Sequence, residues 1–174
     1  MVRKQKPDVI TLAIGDGAND VNMITAAHVG VGIKGKEGLQ AARASDYCFG
    51  EFKHLKRLTF FYGREYYRKN TNVIFYNFYK NMILVLPQFW YGFTNIFSGQ
   101  TLYETFLNQF FNTLFAALPI ILYAVCDQQY DDRVFEKKPR LYDLGRKRLL
   151  FTYKNFLLWL ANGAGQAFFI AILS

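Results

Sequence analysis

Cysteine is scarce in this chain. Cys48 and Cys126 lie in different regions and outline no disulfide framework, so both are expected as buried thiols. A signal-peptide core is also missing, because the apolar run VITLAI after the basic opening MVRKQKP is too short. Repeats and low-complexity tracts are absent, which excludes a solenoid or a linker-rich architecture. Proline is missing from Glu51 to Leu86 and glycine occurs there only at Gly63, which excludes a loop-rich segment and predicts one long helix. Between Lys69 and Glu104 the only charged residue is Lys80, and from Thr105 to Cys126 there is none.

The charge that is present lies elsewhere. With 21 Lys and Arg against 13 Asp and Glu, the net charge is +8, a balance that could suggest nucleic acid. The basic residues instead gather where apolar runs begin, around Lys53 to Lys69 and Arg133 to Arg148. That placement follows the positive-inside rule of membrane proteins, so a nucleic-acid partner is not expected.

The first 50 residues read differently from the rest. DVITLAI, bounded by Pro7 and Gly15, predicts a buried strand over 9–14, and NDVNMITAAHVG a short helix ending near Gly30. VGVGI predicts a second strand, KEGLQAARAS a second helix and DYCFG a third strand. Alternation of strands and helices implies a parallel sheet, and so short a segment implies the end of a larger α/β domain. Residues 51–71 then predict a charged stalk helix, with Leu55, Leu58, Phe61 and Tyr62 at helical spacing. The helix is expected to become transmembrane over 72–97, with a break near Pro87. Further spans are predicted at 105–126 and 156–174, separated by a basic loop at 127–150. The connector SGQTLYE carries no Lys or Arg, which places residues 1–71 and the 127–150 loop in the cytosol.

Two constellations carry chemistry. GDGAND sets Asp16 and Asp20 just beyond the carboxyl end of the first strand, where parallel sheets bind ligands. Gly15 and Gly17 permit a tight turn, and two carboxylates four apart suit Mg²⁺ shared with a substrate phosphate. Asn19 could hydrogen-bond a phosphate oxygen, although the bare pattern equally fits a plain capped turn. Lys34 and Lys36 fit phosphate contacts or a solvated loop, and His28 and Cys48 packed or surface positions.

The second constellation surrounds Lys80, about 12 Å along the helix from Asn72. An ammonium at depth costs on the order of 3 kcal/mol, unless its stem reaches the interface. Asn77, Asn81 and Gln88 fall within about 40° of one another on an ideal helix, with Lys80 beside them. In the next span Asn108, Asn112 and Thr113 could face that stripe, or serve only as helix–helix contacts. A cation path needs intramembrane carboxylates, and these two spans have none. Lys80 suits a phosphate or carboxylate headgroup instead. Gly163 and Ala167 form a small-xxx-small pair, expected as a packing contact.

The run TLAIGDGANDVNMI…AAHVGVGIKGKEGLQAARASDY resembles the hinge motif of P-type ATPases and the residues that follow it. With FKHLKRL, FFYGREYYRKN and FYKNMILVLPQFWYGF, it is similar to the phospholipid-translocating, type IV branch. The resemblance covers most of residues 9–123 and weakens over 127–174, where KPRLY and the apolar run fit. It implies a haloacid-dehalogenase-like phosphorylation domain ending in this segment. Asp16 and Asp20 would then coordinate Mg²⁺, with Gly17, Asn19 and Asp20 near the phosphates of ATP. Lys80 and Asn81 match the lysine–asparagine pair that lines the lipid path of such enzymes, with Asn77 and Asn112 as neighbours. The chain contains no Asp-Lys-Thr-Gly-Thr, so the phosphorylated aspartate lies outside it and these residues alone should not hydrolyse ATP. The resemblance further implies a phospholipid substrate, a two-span accessory subunit in many members, and a eukaryotic Golgi, endosomal or plasma membrane. The alternatives are a piece of a cation-transporting P-type ATPase and a non-catalytic membrane protein.

Overall fold

The computed structural model describes residues 5, 6, 8–35 and 38–173. The chain forms two units, one up to Thr59 and the other from Phe60 onward.

The first unit holds strands β1 (Leu12–Gly15), β2 (Val29–Ile33) and β3 (Tyr47–Phe49), all parallel, in the order β1-β2-β3. Leu12 is in register with Val29, and Val31 with Tyr47. A 3-10 turn, Ala18–Asp20, leads into helix α1 (Val21–Ala26), and helix α2 (Gln40–Ala44) joins β2 to β3. Ile24 of α1 and Ala41 of α2 close over Val31, and all three are buried. The expected strand over 9–14 is shorter, and Val9 and Ile10 are exposed. β1 pairs only with β2 among the described residues, so nothing here covers its outer side. Cys48 and Cys126 are exposed rather than buried, one on the edge strand β3 and one at a helix end. Lys34 is exposed, and Lys36 lies outside the described residues.

A helical turn, His54–Lys56, runs into a π-helical stretch, Arg57–Tyr62. In the second unit, helix α3 (Gly63–Thr94) follows. The break expected near Pro87 does not occur: the helix passes through this buried proline and ends seven residues later. A single absent N–H is tolerated where the neighbouring turns remain paired. The end itself is closed by Asn95 N–H to Tyr91 O (3.1 Å) and Phe97 N–H to Gly92 O (2.8 Å), with Ile96 and Phe97 at positive φ.

The next helical segment, Thr105–Cys126, comprises α4 (Thr105–Phe110), a π turn Phe111–Phe115 and α5 (Ala117–Cys126). Pro119 offers no N–H to Phe115 O, and the helix widens in the turn before it. Helices α6 (Asp132–Lys137) and α7 (Asp143–Arg146) form the basic connection, and α8 (Tyr153–Leu173) closes the unit. Among the described residues, Thr105–Cys126 and Tyr153–Leu173 are the two helices long and apolar enough to cross a membrane. Helix α3 is not one of them, as Asn72, Asn77, Lys80, Asn81 and Gln88 lower its hydropathy.

Helix α8 packs along α3. Phe75 stacks on Phe151 with centroids 5.6 Å apart and also meets Phe156 and Trp159. Gly163 and Ala167 are both buried in this seam, as their spacing predicts. A Cβ on Gly163 would stand 3.3 Å from Met82 Cβ, so the glycine sets how closely the helices approach.

Candidate functional site

Gly15 ends β1 where the chain must turn sharply, because a Cβ there would lie 2.3 Å from Asp20 Cβ. The Asp20 carboxylate folds back over that turn. Its Oδ2 accepts the N–H of Asp16 (3.1 Å) and of Gly17 (3.3 Å), while Oδ1 accepts no hydrogen bond among the described residues. Asp16 is exposed beside the loop after β2, where a Cβ on Gly35 would come within 3.2 Å of Asp16 O. Asn19 is exposed within the 3-10 turn. One carboxylate is thus oriented by the backbone and the other points to solvent, a donor set that suits Mg²⁺ with the remaining oxygens supplied by water and phosphate. Among the described residues, no third His, Cys, Asp or Glu joins this pair in a cluster. Gly17 directs its N–H to Asp20, so of the two it is the exposed Asn19 that could offer a donor to a phosphate.

In the second unit the stripe takes shape on α3. Phe75, Tyr79 and Met82 face α8, on the side of the helix away from Asn77 and Asn81. Asn77 and Asn81 are exposed and Lys80 is half-buried; none of the three makes a side-chain hydrogen bond or ion pair among the described residues. Two apolar cavities flank Lys80 by one turn each. The first, about 210 Å³, is lined by Asn72, Tyr76, Pro119, Ile120, Tyr123 and Trp159. The second, about 300 Å³, includes Ile83, Leu84, Leu107, Asn108 and Phe111 in its walls. Asn108 therefore reaches the α3 side, whereas Asn112 and Thr113 are exposed and do not line either cavity. Asn112 sits in the π turn, where ideal α-helical spacing no longer holds. Gln88 secures the connector instead. Its Oε1 accepts Leu102 N–H (2.8 Å) and its Nε2 donates to Gln100 O (3.4 Å).

A third group of polar residues has no motif in the sequence. Arg64 and Glu65 are each only 4% exposed at the start of α3. Arg64 donates to Glu65 (2.8 Å), to Gln129 Oε1 (2.7 Å) and to Leu141 O (3.1 Å). Its guanidinium lies 5.2 Å from the Tyr130 ring centre and 5.4 Å from that of Phe135. Arg68 bridges Glu65 (2.8 Å) and Asp127 (2.5 Å) and donates to Tyr123 OH (3.1 Å). Burial alone would lower the Arg68 pKa, but the hydrogen bonds to Glu65 and Asp127 outweigh it and hold the value above the ordinary one. One signal could have revealed the group: Asp127 is the first charge after the predicted second span and Arg68 lies next to the last charge before the predicted first. Antiparallel neighbours bring such residues to one level.

The family profile described as phospholipid-translocating P-type ATPase, C-terminal, matches residues 42–174. Phospholipid-transporting ATPase IC of Xenopus tropicalis is 48% identical over 92% of this chain and 13% of its own length. Phospholipid-transporting ATPase DRS2 of Saccharomyces cerevisiae is 48% identical over 92% of this chain and 12% of its own. Phospholipid-transporting ATPase IH of Homo sapiens is 45% identical over 96% of this chain and 15% of its own. The chain thus spans roughly an eighth of the length of these curated relatives.

Proposed function

Since the chain belongs to the phospholipid-translocating P-type ATPases, we propose that it forms part of a transporter that uses ATP to move phospholipid between bilayer leaflets. Residues 1–50 then complete a haloacid-dehalogenase-like phosphorylation domain, 51–71 form the stalk, and 72–97, 105–126 and 156–174 lie in the membrane. Residues 1–71 and 127–150 are cytosolic, in an endomembrane or plasma membrane of a eukaryotic cell, with a two-span accessory subunit as companion. The γ-phosphoryl of ATP passes to an aspartate that this chain does not contain, and these residues alone are inactive.

Asp16 and Asp20 would hold Mg²⁺, which when bound screens the charge of the transferring phosphoryl group. Asp20 keeps the turn closed through its Oδ2, Asp16 offers its carboxylate from the open side, and Asn19 donates to a phosphate oxygen.

The observation that carries the lipid assignment is Lys80. It is the single charge in a long uncharged run, without a protein partner among the described residues, between two apolar cavities on one side and exposed amides on the other. An ammonium so placed recognises an anionic headgroup, while the tails remain in the bilayer. The absence of Asp and Glu from these two spans weighs against a cation path. In the complete protein, Lys80→Ala should lower lipid-stimulated ATP hydrolysis by about tenfold, a loss near 1.4 kcal/mol of transition-state stabilisation. Lys80→Glu should abolish it. Undiminished lipid stimulation and transport in both variants would overturn the assignment.

A further inference from the structure

Arg64 sits where three pieces of chain meet. Its Nε reaches Leu141 O, its Nη2 reaches Gln129 and its Nη1 reaches Glu65, so one side chain on α3 holds both ends of the 129–141 stretch. Tyr130 and Phe135 cover the guanidinium, and Phe61 packs edge-on against Phe135 with centroids 5.8 Å apart. One turn on, Arg68 binds Asp127, the residue directly after the second span, and Lys69 donates to Ala124 O (2.8 Å). Tyr67 OH accepts Phe151 N–H (2.9 Å) just before α8 begins. Arg64, Arg68, Glu65 and Asp127 carry two charges of each sign, so the group is neutral as a set, with Arg64 and Glu65 buried and Asp127 at its exposed edge.

We propose that Arg64 is a positioning residue that clasps the 129–141 stretch to α3, so that, together with Arg68 on Asp127, a displacement of α3 carries the inner end of the second span with it. This inference rests on the transport reading, and it adds a route by which movement of α3 reaches the wall opposite Lys80. Only a guanidinium can form such a clasp, because a planar fork serves three acceptors in three directions, whereas an ammonium on a flexible stem serves them one at a time. Losing the charge leaves Glu65 held by Arg68 alone and frees both ends of the 129–141 stretch.

The test uses the complete protein in mixed phosphatidylserine–phosphatidylcholine vesicles, with Arg64→Met, Arg64→Lys and the milder Gln129→Ala. In Arg64→Met, backbone amides of residues 129–141 should exchange hydrogen about tenfold faster, while those of Tyr153–Leu173 keep their protection. ATP turnover should fall on the order of tenfold with the apparent KM for lipid within about twofold, because Lys80 and Asn81 are untouched. Arg64→Lys should recover only part of the turnover, and Gln129→Ala should show the same pattern at smaller size. Unchanged exchange at 129–141 would overturn the clasp. Faster exchange with normal turnover would reduce it to a scaffold contact and overturn the positioning role. If Arg64→Met lost protection throughout α8, Gln129→Ala would decide the matter by the same two readouts. A parent protein that failed to respond to lipid would count against the transport reading, while the exchange result would still judge the clasp.

Discussion

Helix α3 carries two sets of polar side chains about 24 Å apart along its axis, and they are treated in opposite ways. At its start, Arg64 and Glu65 are buried and bonded on every side. Further along, Asn77, Lys80 and Asn81 have no side-chain partner among the described residues. Charge that serves architecture has its hydrogen-bonding capacity filled by the protein, since a buried unpaired charge is costly. Charge kept for a ligand has to retain that capacity until the ligand arrives. On the proposed reading, this difference separates a structural polar group from a ligand-binding one more sharply than residue type does.

The contrast can be broken by experiment. The largest effect is expected from Glu65→Ala, which leaves two guanidinium groups facing one another and should destabilise the complete protein by about 3–5 kcal/mol in thermal or denaturant unfolding. Lys80→Ala should leave stability within about 0.5 kcal/mol, as no protein contact is lost. Equal losses in the two variants would erase the distinction. Gly163→Leu should cost about 1–3 kcal/mol by forcing α8 away from Tyr79 and Met82, and it sharpens the comparison by disturbing the face opposite the stripe.

In the first unit, Gly15→Ala would drive a methyl group into Asp20 and should weaken Mg²⁺ by about tenfold, read from the Mg²⁺ dependence of ATP hydrolysis. The smallest effect concerns Asp143. Burial would raise its pKa, but Lys147 and Arg146 together pull it below the usual carboxylate value. Its contribution is therefore present above the unfolded pKa and fades as pH falls through the lowered one. Asp143→Asn should flatten that acid-side slope slightly, and an unaltered slope would show the exposed pairs to be idle.

Much of this was legible in the residues, for local reasons. VGVGI is the strand Val29–Ile33 because β-branched side chains alternate with glycines that admit close helix packing. GDGAND forms its turn because Asp20 can reach back four residues to cap it. What stayed hidden was non-local. Arg64 meets Gln129 and Arg68 meets Asp127 across 65 and 59 residues, and no spacing rule spans such distances. Pro87 misled for the opposite reason: its local rule predicts a break, which the surrounding paired turns override. Asn112 looked equivalent to Asn108 until the π turn changed the count of residues per turn.

The grip of Gln88 on Gln100 and Leu102 has a mechanical side. A side chain nearly two turns before the end of α3 holds the far end of the connector, so twisting the helix about its own axis must either shear those two bonds or swing the connector like a crank. A spectroscopic label on the exposed Ile96 tip would then register torque applied to the opposite end of the rod.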